Sequence, residues 1–82
     1  MMKLFVKTGC PWCVDAVTYL RSRDLTFDEV DVRQDPVAFH EMESLSGQSK
    51  APTLLLENGA VLADFDVQEL EAFFREQGLL PA

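Results

Sequence analysis

The chain is poor in three things: cysteine, positive charge and long apolar runs. Only two cysteines, three positions apart, occur in 82 residues. Small secreted domains usually carry about two to four disulfide bridges as a framework, and one pair this close closes a loop too short to restrain a fold. Lys and Arg number 7 against 14 Asp and Glu, a formal net charge of −7, and no stretch gathers the basic residues into a stripe that would neutralise successive phosphates. Nucleic acid is therefore excluded as an expected partner. The N-terminal apolar run is only Leu4-Phe5-Val6, far short of a signal-peptide core or a membrane span, so the expectation is a soluble, cytoplasmic protein with no membrane partner. Internal repeats, linkers and low-complexity stretches are also missing, and residues 1–82 read as a single domain.

What is present suffices for a core. Apolar residues make up 48% of the chain and include six Phe, enough to fill one small interior without metal or disulfide staples. Lys3 to Lys7 reads as a buried strand ending at Thr8-Gly9. Residues 11 to 23 read as an amphipathic helix with Val14, Val17, Leu20 and Ala16 on its apolar face. Residues 26 to 32, through Phe27, Val30 and Val32, favour a second strand. Asp35-Pro36 is a helix start, Asp35 accepting unpaired N–H groups and Pro36 lying where its missing donor costs nothing. The expected buried stripe of that helix is Phe39, Met42 and Leu45, and Gly47 ends it.

Residues 53–57 and 60–64 flank Asn58-Gly59, the dipeptide suited to a type I′ hairpin turn. Asp66-Val67-Gln68-Glu69 has capping-box spacing, with Phe65 and Leu70 as a hydrophobic staple, and opens a third helix that runs to Gly78. The order is βαβαββα. A strand-helix-strand unit should be parallel and a tight hairpin antiparallel, so the expected fold is α/β, with a four-stranded mixed sheet and helices on both faces.

Chemistry concentrates at Cys10-Pro11-Trp12-Cys13. Pro11 starts the first helix, which puts Cys10 at its N-cap, where unpaired N–H groups and the helix dipole favour a thiolate. Cys13 lies one turn on, on the same side, within reach of a mixed disulfide at Cys10. Pro11 removes a donor between the two sulfurs and should make the couple more reducing, while Trp12 falls on the exposed tip as an apolar plate beside the nucleophile. A structural disulfide would restrain little, and half a zinc site would lack ligands, since the single His40 lies on another helix and reads as a surface residue. A redox pair is the reading best matched to the spacing.

Lys7-Thr8-Gly9-Cys10-Pro11-Trp12-Cys13, together with Ser46-Gly47-Gln48-Ser49-Lys50-Ala51-Pro52, resembles the active-site segments of glutaredoxins, in the thioredoxin-fold superfamily. The resemblance implies that Pro52 is cis and faces the cysteines, and that the backbone of Ala51 pairs with the cysteinyl part of glutathione. It further implies that Lys7 and Gln48 meet glutathione carboxylates, and that Phe65 and Asp66 border its γ-glutamyl end. With Pro11 and Trp12, these make up the expected substrate groove. One departure stands out: glutaredoxins commonly have two glycines where this chain has Ala63-Asp64, and Asp64 adds a side chain and a negative charge. Lys50, in place of a Thr, offers a compensating cation.

The expected activity is thiol–disulfide oxidoreduction through Cys10 and Cys13. Its substrates would be protein disulfides or glutathionylated proteins, with glutathione as co-substrate, no tightly bound cofactor or metal, and a monomeric chain. One alternative is a redoxin reduced by a flavoprotein of the thioredoxin-reductase type, because the glutathione groove is altered. Another is a carrier in which glutathione and Cys10 from two chains hold an iron–sulfur cluster, a role that Pro11 argues against.

Overall fold

β1 (Met2–Val6) is the strand around which the sheet is assembled. The computed structural model describes residues 1–80, and β1 is followed by α1 (Pro11–Ser22), β2 (Phe27–Asp31), α2 (Pro36–Ser46), β3 (Thr53–Leu55), β4 (Val61–Ala63) and α3 (Val67–Glu76). The strand order is β2-β1-β3-β4. β1 runs parallel to β2 with Phe5 opposite Val30, and antiparallel to β3 with Leu4 opposite Leu54. This is the mixed sheet expected from one helical crossover and one hairpin.

Alternation along β1 divides the interior into two layers. Leu4 and Val6 face α1 and α3, packing with Cys13, Ala16, Leu20, Leu54, Phe65, Leu70 and Phe74. Phe5 points the other way, to Val32, Ala38 and Met42 of the α2 layer. Helices therefore cover both faces, and the larger core lies under the helix that carries the cysteines.

Several local expectations are revised. On α1 the inward face is Cys13, Ala16 and Leu20, at positions i, i+3 and i+7; Val14, about 100° further round the helix, is 62% exposed. On α2, Ala38 and Met42 are buried while Phe39 is half-buried and Leu45 exposed, because the helix meets only the Phe5 side of the sheet. β1 begins and ends one residue earlier than expected, and β2, β3 and β4 are shorter than the runs that suggest them.

The β3–β4 loop is not a two-residue type I′ turn. Gly59 N–H donates to Leu56 O at 3.0 Å and Leu56 N–H to Ala60 O at 2.9 Å, leaving a three-residue loop. Only Gly59 takes a positive φ, +90°, and Asn58 instead accepts the Ala60 N–H with its side chain. That is a type I turn closed by a left-handed glycine.

The start of α3 follows the sequence closely. Asp66 accepts the Glu69 N–H at 2.8 Å while Glu69 accepts the Asp66 N–H at 3.2 Å, and Phe65 and Leu70 are both buried in the core beside them. No helix among the described residues is long and apolar enough to cross a membrane. Replacing Asp66 by Ala should cost about 1 kcal/mol, read as a lower urea midpoint at unchanged slope; an unchanged midpoint would show that the box does not hold the helix.

Candidate active site

The turn after β1 delivers Cys10 to the start of α1. Cys10 N–H donates to Lys7 O at 3.2 Å, and Gly9 in the left-handed region (φ +84°) reverses the chain. Cys10 itself is extended (φ −94°, ψ 111°) and caps α1, with Pro11 occupying the first turn. Its Sγ accepts the Cys13 N–H at 3.1 Å, the bond that Ser or Asp would make at an ordinary N-cap. A thiolate gains more from such a donor than a thiol does.

The two cysteines differ sharply in setting. Both are free thiols; Cys10 is half-buried, whereas Cys13 is 3% exposed and packs within the α1–α3 core. Burial pushes the Cys13 thiol up to about 12, and its hydrogen bond to Cys10 adds to the effect. One sulfur lies half-exposed and the other is buried and held protonated. Trp12 is 51% exposed at the tip between them.

Across from Cys10 lies the segment joining α2 to β3. The Ala51–Pro52 peptide is cis, Pro52 is fully buried, and Ala51 O stands 3.9 Å from Cys10 Sγ. Gln48 holds this segment from within. Its Nε2 donates to Ser46 Oγ (2.8 Å), Lys50 O (3.1 Å) and Thr53 Oγ1 (3.3 Å), and its Oε1 accepts the Lys50 N–H at 2.6 Å. Thr53, fully buried, donates back to Lys50 O at 2.9 Å. Lys7 Nζ reaches the same segment at Ser49 O, 2.8 Å, and lies 5.9 Å above the Phe39 ring.

Lys7, Pro11, Trp12, Ala51 and Pro52 thus gather around Cys10, and two other expected groove residues, Gln48 and Phe65, are placed differently. Gln48 has its amide engaged inside its own loop. Phe65, 1% exposed, is a core side chain with no surface to offer a ligand. Asp66 is exposed but binds its own helix. Asp64 takes a left-handed backbone (φ +53°), donates its N–H to Pro52 O at 2.9 Å, and pairs with Lys50 at 3.8 Å.

Sequence reasoning passed over Thr53 and Thr8. Thr53 follows the cis proline at the first position of a strand, a place where a hydroxyl can close the preceding turn. Thr8 donates to Asp31, which with the Arg33 N–H holds that carboxyl below its ordinary range. On this β2 side of the cysteines a cavity of about 380 Å³ is lined by Thr8, Cys10, Cys13, Val17 and Arg21. Among the described residues, no group of three or more His, Cys, Asp or Glu is placed to hold a metal ion.

The sequence profile of the glutaredoxin family matches residues 2–62. The chain belongs to the glutaredoxin family. A glutaredoxin-like 8.6 kDa protein of a rubredoxin operon in Clostridium pasteurianum is 34% identical over 71 residues, spanning 87% of this chain and 93% of that one. The fold is shared with the thioredoxin-like protein BC3987 (TM-score 0.79, 24% identity, covering 88% of this chain and 97% of that chain). It is shared as well with the NrdH-redoxin of Escherichia coli (TM-score 0.75, 16% identity, covering 99% and 96%). This member is a glutaredoxin-like, thioredoxin-fold redox protein with Cys10-Cys13 as its Cys-x-x-Cys pair.

The raised Cys13 titration has a consequence for stability. Between about pH 9, where an ordinary thiol ionises, and about 12, the folded chain keeps a proton that the unfolded chain loses. The stabilisation is complete below pH 9 and is lost as pH rises through that window. Reduced protein unfolded by urea across pH 8–11 should therefore weaken more steeply than Cys13→Ala; equal slopes would show that Cys13 ionises freely.

Proposed function

We propose that the chain reduces protein disulfides through Cys10 and Cys13, and that a flavoprotein reductase of the thioredoxin-reductase type, rather than glutathione, restores its dithiol. The observation that carries the first part is the placement of Cys10 Sγ. It caps α1, holds the Cys13 N–H at 3.1 Å, and lies half-buried 3.9 Å from Ala51 O. The Cys10 thiolate attacks one sulfur of the substrate disulfide, forming a mixed disulfide and releasing the other sulfur as a thiolate that takes a proton. Cys13 then gives up its proton and attacks Cys10 Sγ, releasing the second substrate thiol. Two electrons pass to the substrate, and the Cys10–Cys13 disulfide remains to be reduced by the flavoprotein.

The preference for a reductase rests on the groove. Gln48, through which the family resemblance would have a glutathione carboxylate held, is bonded within the chain, and Asp64 puts a carboxylate beside Lys50. The E. coli NrdH-redoxin, a glutaredoxin-like protein with a thioredoxin-like activity profile, shares the backbone, so the fold accommodates that profile. A second reading, regeneration by glutathione, is favoured by Lys7 and by the cis loop that presents Ala51 toward Cys10.

NADPH-coupled assays separate the two. With a protein disulfide as substrate, oxidation of NADPH should be supported by thioredoxin reductase alone and be at least about tenfold slower with glutathione plus glutathione reductase; the reverse order would overturn the assignment of the electron source. Cys10→Ser should abolish turnover in both systems, and retained activity would overturn the assignment of the nucleophile.

A further inference from the structure

Among the described residues, only Asp24 and Asp64 have positive φ without being glycine. Asp24 closes α1: its N–H and that of Leu25 bond to Arg21 O and Leu20 O in a Schellman arrangement. Asp64 ends no helix. It turns the chain from β4 toward α3 at the edge of the active-site groove, where glycine would adopt φ +53° freely and Asp does so at some cost in backbone strain.

The side chain stands beside the loop that faces Cys10. Asp64 N–H is bonded to Pro52 O, and its carboxylate lies 3.8 Å from Lys50 Nζ, one residue before the Ala51 carbonyl that faces Cys10. The pair therefore flanks the wall of chain that faces Cys10. Its members are 41% and 72% exposed, and ion pairs in such settings contribute little and open readily. They are not equally mobile: Lys50 is a long side chain mostly in water, whereas Asp64 is short and fixed by a bonded backbone. When the pair opens, the charge that stays in the wall is the negative one.

We propose that Asp64 is a specificity-determining residue that favours disulfide substrates with a Lys or Arg side chain next to the attacked cysteine and disfavours those presenting a carboxylate there, with Lys50 as the mobile counter-ion that moderates the choice. An incoming ammonium or guanidinium replaces Lys50 beside Asp64, while an incoming carboxylate meets a fixed like charge. This rests on the proposed reading of Cys10 and Cys13 but not on the source of electrons.

The test uses pre-reduced protein in single turnover, with no recycling enzyme. Three peptide disulfides of one backbone carry Lys, Gln or Glu beside the cysteine, and the readout is the ratio of the Lys-peptide to the Glu-peptide rate constant. Wild type should give a ratio above one. Asp64→Asn keeps the shape and a residue that tolerates positive φ, and should lower the ratio about two- to fivefold. Lys50→Gln should raise it by a similar factor, and both changes should fade at about 1 M salt, where screening reaches about 3 Å. An unchanged ratio in Asp64→Asn, or a fall in Lys50→Gln, overturns the inference while reduction of the Gln peptide leaves the reading of the cysteines standing. Failure of wild type to reduce any of the three overturns both.

Discussion

The hydrogen bond from Cys13 N–H to Cys10 Sγ, 3.1 Å long, is the constraint on which the rest of the site depends. A sulfur in the N-cap role does two jobs at once. It satisfies a donor that the first turn of α1 leaves unpaired, and the bond fixes the Cys10 sulfur at the N-terminus of the helix. Pro11 fixes the turn between the cysteines, so the same geometry that starts the helix puts Cys13 directly beneath Cys10. The bond that starts the helix is also the bond that places the Cys10 sulfur.

The opposite wall is held by different means. No regular element runs from Gly47 to Pro52, and that stretch is shaped by side chains: Gln48 bridges Ser46, Lys50 and Thr53, and Lys7 ties Ser49 to the end of β1. That rim therefore faces the Cys10 sulfur on a helix terminus, and Cys13 in the core beneath is kept protonated by burial. The asymmetry between the two sulfurs comes from the fold itself, since α1 must turn Cys13, Ala16 and Leu20 inward to cover β1.

Features that depend on residues close in sequence were readable before the structure. The Cys10 cap, the Asp35 and Asp66 caps, the βαβαββα order and both faces of the sheet follow from spacing of a few positions. What the sequence concealed was decided by distant packing. Val14 and Leu45 fit helical periodicity yet face water, because each helix is covered by the sheet over only a narrow arc. Asn58-Gly59 suits two turn types, and the register of β3 against β4 selected the one with a single positive φ. Gln48 and Phe65 lie next to the groove in sequence and contribute elsewhere, one to its own loop and one to the core. Asp64 was visible as a departure, but its left-handed backbone and its pairing with Lys50 were not.

The central claim, that one fold makes two chemically unequal thiols, is tested most directly by competitive alkylation. Fully reduced protein at neutral pH would be treated with substoichiometric iodoacetamide, quenched in denaturant with a second, heavier reagent, and mapped by mass spectrometry. The account predicts the first label on Cys10 and essentially none on Cys13. Equal labelling of the two, or preferential labelling of Cys13, would contradict it.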